Sequence, residues 1–277
     1  MGSVNGSYKL ETGKKNINPL VLGIVHLSVA FPVFWTTFSK RGNSNTDERI
    51  KLIQNFIKVF GIKKIKCLFG DREFVGGDWF AFLLKQKIHF IMRIKDNFNI
   101  TNSRGHPVEA KALFRNLKVG QYLVLKGKRI VNGQLAYIVG SFLPTGEYLI
   151  LATDQNPEKA LDDYKKRWGI ETLFQCLKSR GFNFEDTRMI APERIDKLIA
   201  LLGIAFSWCH TTGEWAHLKN PIKIKKHGRK AISIFRLGLD YIRSIMLNMS
   251  ERYHDFNKNL EIVLKPLLLQ DRFVFTN

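Results

Sequence analysis

The alternation of apolar and polar residues predicts a β-hairpin and a helix in the first part of the chain. Two β-like runs, 18–27 and 31–38, are joined by a short link of small residues, a pattern typical of adjacent antiparallel strands. Apolar side chains then recur at helical spacing up to residue 60, and Thr46 or Asp47 is the candidate N-cap of this helix. We therefore expect the fold to begin as a sheet with a covering helix.

A short apolar run at 65–69 predicts a buried strand that leads directly into Gly70-Asp71-Arg72-Glu73-Phe74. An acid after a strand often does no more than cap the next helix, which is predicted here near Trp79. Taken alone, Asp71 is therefore a weak candidate for a functional residue.

Residues 88–153 have the two-residue period of β-strands, and Asn132-Gly133 is a hairpin turn signal inside this block. The strand-like runs are 88–94, 121–125, 135–142 and 148–153. This β-rich block separates Asp71 from the stretch that carries most of the candidate chemistry.

That stretch runs from Tyr164 to Lys178 and reads YKKRWGIETLFQCLK. At about 100° per residue, Tyr164, Arg167, Glu171 and Lys178 fall within roughly 60° of one helix face, while apolar residues cover the adjoining arc. The charged face alone does not establish a site, because charges at this spacing usually form a solvated surface.

The chain after residue 154 is predicted to be helical. Asn156 is the candidate N-cap of the helix that carries Glu171, with a proline in its first turn. Further helices are predicted at 192–209 and 231–247, followed by an apolar tail at 260–275.

The link before the 231–247 helix, residues 219–230, reads KNPIKIKKHGRK and is called the basic loop below. Loops of this composition neutralise phosphates with little sequence preference. Its candidate DNA contacts are Lys223, Lys225, Lys226 and Arg229.

The net charge narrows the choice of partner. The 277 residues include 44 Lys and Arg against 24 Asp and Glu, a formal charge of +20. This excess indicates a polyanionic partner, with nucleic acid as the first candidate and an anionic membrane surface as the second. The apolar run at 198–209 is about half the length that a membrane span needs, and no secretory signal opens the sequence. Three scattered cysteines favour neither a disulfide framework nor a zinc ribbon and fit a reducing cytoplasm.

The spacing Y-x2-R-x3-E-x6-K, with aromatics at Trp168 and Phe174, resembles the signature of bacterial insertion-sequence transposases of the DDE class, the insertion-sequence-four family. The segment Gly70 to Phe74 resembles the part of that family that carries its second catalytic Asp. The resemblance extends from Gly13 to about residue 250. It implies an α/β fold with a ribonuclease-H-like catalytic core that is interrupted by a β-rich insertion and followed by C-terminal helices.

The resemblance also implies chemistry, namely metal-dependent cleavage and strand transfer of insertion-sequence DNA. Asp71 and Glu171 would ligate Mg²⁺, with Mn²⁺ as a substitute, and Tyr164, Arg167 and Lys178 would contact transposon-end DNA. The implied partner is double-stranded DNA, at transposon ends and at the target, and a homodimer on DNA is compatible with this interpretation.

One ligand that the resemblance implies is missing. The family has its first catalytic Asp on the opening strand, seven residues before a Gly-Lys-Lys turn that residues 13–15 match. That position is Gly6, and Glu11, a displaced and weak substitute, is the only acid before Asp47. Residues 1–12 are rich in Gly, Ser and Asn, so we expect a truncated or non-native lead-in and impaired catalysis.

Two functions stay open at this point: a DDE transposase core, or a non-catalytic DNA-binding fragment or relic of a transposase. A bacterial cytoplasmic location is expected for both. A membrane-surface protein is disfavoured, because no long basic amphipathic helix stands out. The patterns divide the chain into a lead-in at 1–12, a first part of the core at 13–87, a β-rich insertion at 88–153, a second part of the core at 154–218, and the basic loop with C-terminal helices at 219–277.

Overall fold

The computed structural model describes residues 2–7, 10–12, 15–40, 42–226 and 228–264, with side chains from Ile17 onward. Within these residues it is a mixed α/β structure, as predicted, with a 12-stranded sheet and seven α-helices. The chain forms two compact units. The sheet unit comprises Met1–Phe174 with Arg188–Asp196, and the helical unit comprises Gln175–Thr187 with Lys197–Asn277.

The twelve strands all lie in the sheet unit. They are β1 (Gly2–Ser7), β2 (Leu10–Thr12), β3 (Lys15–His26), β4 (Val29–Phe38), β5 (Cys67–Gly70), β6 (Phe90–Ile94), β7 (Asn99–Thr101), β8 (Pro107–Glu109), β9 (Tyr122–Val124), β10 (Arg129–Val131), β11 (Gln134–Phe142) and β12 (Tyr148–Thr153). The helices are α1 (Thr46–Phe60), α2 (Gly77–Lys85), α3 (Ala160–Tyr164), α4 (Trp168–Lys178), α5 (Pro192–Lys219), α6 (Ile234–Leu247) and α7 (Tyr253–Leu264).

The strand order of the sheet is β2-β3-β1-β5-β6-β12-β11-β10-β7-β8, with β4 also paired to β3 and β9 to β11. β3 is antiparallel to both β1 and β4, whereas β1, β5 and β6 run parallel to one another. β12 returns antiparallel to β6. The strands of the β-rich block therefore extend the same sheet.

β1 is a central strand, although its residues belong to the segment whose composition predicts a lead-in. It pairs with β3 on one side and with β5 on the other, where Val4 lies opposite Phe69. Strands hydrogen-bonded on both sides satisfy their backbone groups inside the sheet. The sheet therefore includes the segment that contains Gly6.

The β3–β4 hairpin and α1 confirm the hairpin and the helix that were predicted from the first part of the chain, with one correction. The N-cap of α1 is Asn45, not Thr46 or Asp47, and it forms a capping box with Glu48. Asn and Asp are equally good caps in sequence, so the pattern could not choose between neighbouring residues. Gly61, at a φ of 81°, ends the helix.

The core of the sheet unit lies between the sheet and the helices α1 and α2. Large side chains from both helices and from β5 and β6 are fully buried there. They include Leu52, Ile53, Trp79, Phe80, Leu68, Phe90 and Met92. This packing fixes β5, whose four residues are all buried, and so fixes the point at which its chain leaves the sheet.

The hairpin predicted at Asn132-Gly133 joins β10 to β11, and both residues have positive φ angles, 48° and 77°. The three-residue strands β7, β8 and β10 were not predicted, because so short a run shows no period. The predicted turn at 13–15 lies partly, and the predicted tail at 260–275 mostly, outside the described residues.

The helix predicted to carry Tyr164 through Lys178 is divided. α3 ends at Tyr164, a 3-10 turn covers Lys165–Arg167, and α4 begins at Trp168. The prediction that Asn156 caps the helix of Glu171 is wrong. Its φ of 50° is left-handed, its side chain makes no capping hydrogen bond, and only a 3-10 turn follows it. The tight turn of Pro157–Lys159 precedes α3 instead.

The helical unit is organised around a close crossing of α5 and α6. A Cβ added at Gly238 would overlap the carbonyl oxygen of Cys209, and one added at Gly213 would overlap that of Ile234. Only glycine allows the two backbones to approach this closely. No helix within the described residues is both long and apolar enough to span a bilayer.

We predict that Gly238→Ala destabilises the helical unit by about 1–3 kcal/mol, since the added methyl group must push α6 away from α5. Chemical unfolding followed by tryptophan fluorescence measures the change. Met246→Ala is the control because that side chain is 52% exposed on the same helix. Equal stabilities of the two variants would contradict the close crossing.

Candidate active site

Asp71 is held where β5 leaves the sheet. Gly70 before it has no room for a side chain, because an added Cβ would overlap the sulfur of Met92 and lie 2.8 Å from Cβ of Phe74. The backbone N–H of Phe74 donates to the Asp71 carbonyl at 2.8 Å, and that of Arg72 donates to Asp71 Oδ1 at 2.8 Å. These contacts fix the carboxylate at the strand end, with 34% of its side chain exposed.

Tyr164 connects the end of α3 to the same strand end. Its hydroxyl donates to the Gly70 carbonyl oxygen at 3.3 Å, and only 4% of the residue is exposed. Burial is the largest influence on the Tyr164 hydroxyl and raises its pKa well above the ordinary value. The hydroxyl therefore stays protonated and remains a donor at neutral pH.

α4 begins against the hairpin between β3 and β4. A Cβ added at Gly169 would lie 3.0 Å from the backbone nitrogen of Ala30, so the helix approaches the hairpin through a residue without a side chain. Ile170 and Leu173 are buried, as the apolar arc predicts. Glu171 lies in the first turn of α4 with 49% of its side chain exposed.

Arg167 lies between the two acids. Its Nη2 donates to Glu171 Oε1 in a short hydrogen bond, and its Nη1 is 3.8 Å from Asp71 Oδ2. The guanidinium carbon is 5.6 Å from the centre of the Tyr164 ring, a cation–π distance. One buried cation therefore contacts both carboxylates.

The surroundings keep this cation charged. Burial, the largest influence, lowers the pKa of Arg167, but the neighbouring Tyr164, Asp71 and Glu171 together raise it above the ordinary value. Only 8% of the Arg167 side chain is exposed. Its charge is therefore balanced by protein groups and not by water.

Carboxylate oxygens are the ligands that Mg²⁺ and Mn²⁺ prefer, so Asp71 and Glu171 suit such a cation in kind. In this arrangement, however, the guanidinium contacts both acids and offsets one of their two negative charges, which disfavours a bound divalent cation. Across the side chains that the structure describes, no group of three or more His, Cys, Asp or Glu residues could hold a metal ion. Asp71 and Glu171 are therefore the two carboxylates that the described side chains bring to this cluster.

Backbone register places the missing position close to Asp71. β1 and β5 run parallel with Val4 opposite Phe69, so the same offset brings Gly6 to the level of Asp71. Gly6 also lies opposite Val21 of β3, within the sheet. The position at which the resemblance implies a first acid is therefore level with Asp71 in backbone register, and it holds glycine.

The three DNA contacts predicted on the polar face are buried or paired within the protein. Lys178 is at the end of α4 in the helical unit, where its Nζ pairs with Glu185 at 2.9 Å. Tyr164 and Arg167 are buried in this structure, so neither side chain is presented to DNA. Their contacts with DNA stay predictions.

The basic loop forms a small hairpin in the helical unit. Ile224 bridges to Lys230, and the backbone N–H of Lys225 donates to the Arg229 carbonyl at 2.8 Å. The side chains of the four predicted contacts, Lys223, Lys225, Lys226 and Arg229, are all exposed. The loop therefore presents several cations on a short, folded segment.

Sequence reasoning missed Arg49, a buried residue of α1. Its guanidinium lies 4.8 Å from the centre of the Phe74 ring and bonds to Ser44, so it supports the turn after Asp71. The sequence signal for Arg49 was its place on the apolar face of α1, where a cation is unexpected. It also missed the bridging position of Arg167, although the i, i+4 spacing to Glu171 was visible.

The three cysteines offer no alternative chemistry. Each is a buried thiol. Burial raises the pKa of Cys176 to about 11 and that of Cys209 to about 12, and it raises that of Cys67 further. Thiols with such values stay protonated and are poor nucleophiles.

Two solved structures resemble the chain weakly. The catalytic domain of human endonuclease V is 12% identical, with a TM-score of 0.34 over 66% of this chain and 85% of that one. Endonuclease V of Ciona intestinalis, in complex with a 23mer DNA containing an inosine followed by a ribo-adenosine, is 14% identical, with a TM-score of 0.31 over 59% and 76%. At these TM-scores the likenesses carry no information about the fold or activity.

A comparison with curated proteins gives no match. The family model described as "Transposase DDE domain" matches residues 32–209, which is more than half of the chain. The matched region contains both acids of the cluster and the arginine between them. The chain belongs to the transposase DDE domain family.

Proposed function

We propose that the chain is a DNA transposase of the insertion-sequence type whose own catalytic site is incomplete. The family supports the class of activity, and the acid cluster supports the place where it would occur. The observation that carries the proposal is the convergence of Asp71, Glu171 and the Gly6 position on one end of the sheet.

The strand arrangement supports a ribonuclease-H-like core. β4, β3 and β1 form an antiparallel meander, and β5 and β6 are added parallel to β1. This is the hairpin, helix and strand order that the sequence pattern led us to expect. The β-rich block then corresponds to the proposed insertion between Asp71 and Glu171.

The acid set explains why we expect impaired catalysis. A three-carboxylate site with a glycine at one position loses an anionic ligand, and carboxylates supply both the charge and the oxygen atoms that divalent cations need. DNA cleavage by this chain is therefore expected to be weak or absent, while the remaining two acids keep their positions.

Charge supports DNA binding independently of catalysis. The formal charge of +20 and the exposed cations of the basic loop favour contact with phosphates. The second candidate function, a DNA-binding relic without catalysis, is favoured by Gly6 and by the engagement of both acids with Arg167. The two candidates differ in whether adding one carboxylate restores activity.

We predict that Gly6→Asp gains Mn²⁺-dependent nicking of supercoiled plasmid, at least tenfold above the unmodified chain, because it adds the missing acid at the level of Asp71. Adding Glu171→Gln to this variant should abolish the gain. Gly6→Asn is the control for folding, since it has the same size without the charge. A folded Gly6→Asp variant with no nicking would count against the proposed position and favour the relic.

We predict that the double variant Lys225→Ala/Lys226→Ala weakens binding to a DNA duplex and makes it less dependent on salt. Each lost phosphate contact lowers the slope of log K against log salt by about 0.9. Fluorescence anisotropy over a salt series measures both effects. Lys63→Ala/Lys64→Ala changes the charge equally at exposed positions of the sheet unit. Equal losses in both variants would show that net charge alone matters and that the basic loop has no special role.

A further inference from the structure

We propose that Arg167 acts as a built-in counter-ion for Asp71 and Glu171 and thereby lowers the affinity of this site for divalent cations. The inference depends on the proposed function in one respect: it takes the acid cluster as the place where a metal ion would bind. It assigns to Arg167 a role distinct from the DNA contact that the sequence pattern implies.

The geometry places the arginine where a shared cation would lie. Two different nitrogens of one guanidinium contact the two carboxylates, Nη2 at Glu171 and Nη1 at Asp71. A metal ion shared by these acids would draw on the same two carboxylates that the guanidinium contacts. The metal and the guanidinium therefore compete for one set of ligands.

Formal charge decides how strong this competition is. Two carboxylates and one guanidinium leave a charge of −1, whereas the two carboxylates alone would carry −2. With a third carboxylate at the Gly6 position, the cluster would again carry −2 with the arginine in place. The loss of one acid therefore makes the retained arginine costly for binding a divalent cation.

Arg167 is also held in this place. It is 7% exposed, and the ring of Tyr164 and the 3-10 turn Lys165–Arg167 restrict its movement. Within the described part of the chain its Nε–H has no hydrogen-bond partner, so its bonding depends on the two Nη groups. A buried guanidinium that lost both carboxylates would leave its charge unbalanced, which is a large cost in a protein interior.

The same contacts argue against a free phosphate clamp in this conformation. An arginine that binds DNA presents its fork to solvent, whereas this fork is directed at protein carboxylates. The exposed face of the cluster is formed by the half-exposed Glu171 and the one-third-exposed Asp71. Both acids are therefore partly open to solvent, while the arginine contacts them and offsets part of their charge.

The test measures Mn²⁺ binding directly, through the electron paramagnetic resonance signal of free Mn²⁺, without reference to DNA cleavage. We expect Arg167→Gln and Arg167→Met to bind Mn²⁺ at least tenfold more tightly than the unmodified chain. Arg167→Lys, which keeps the positive charge, should stay weak. Adding Asp71→Asn to Arg167→Gln should remove the gain. Unchanged Mn²⁺ affinity in folded Arg167→Gln and Arg167→Met variants would overturn the inference.

Thermal melting covers the case in which removing the charge destabilises the chain. If Arg167 is the counter-ion, removing its charge should lower the melting temperature of Arg167→Gln and Arg167→Met, and millimolar Mn²⁺ should restore it. The same buffer with Na⁺ and no divalent cation should not restore it. Recovery supports the inference, and the absence of any recovery overturns it.

The Gly6→Asp variant separates this inference from the proposed function. If Gly6→Asp binds Mn²⁺ more tightly and Arg167→Gln does not, the counter-ion inference is overturned and the proposed position of the first acid is supported. The reverse result supports the counter-ion and overturns the position of the first acid. If neither variant binds Mn²⁺ more tightly, both proposals fall.

Discussion

The hydrogen bond from Tyr164 to the Gly70 carbonyl joins the two segments on which the site depends. It holds the end of α3 against the end of β5, so that Arg167, which is paired with Glu171, reaches Asp71 across a gap of nearly one hundred residues in sequence. Gly70 itself has no room for a side chain, because an added Cβ would collide with Met92. A small residue and a buried hydroxyl thus determine where three charges meet.

Much of this arrangement could be predicted from the sequence. The hairpin of β3 and β4, the helix α1, the strand before Asp71 and the turn at Asn132-Gly133 all follow from periodicity and turn chemistry. Helical spacing also predicted that Arg167 and Glu171 lie on the same face. It could not show that the arginine faces inward, because spacing gives a common face but not the partner that the face meets.

The failures have physical causes as well. β1 reads GSVNGS, and a strand with so few apolar side chains gives no hydrophobic signal, because its place is determined by backbone pairing on both sides. The single helix expected across Tyr164 and Glu171 is interrupted by a 3-10 turn, which advances about 120° per residue in place of about 100°. Periodicity cannot detect such a local change in phase.

The central position of β1 has a consequence for how the chain folds. β1 is synthesised before β5, and Gly2 pairs with Cys67, so its parallel side stays open until β5 has left the ribosome. Contacts over so long a separation slow folding, and an open strand edge can meanwhile pair with other chains. The interval between the synthesis of β1 and that of β5 is therefore a period in which this strand edge can pair with other chains.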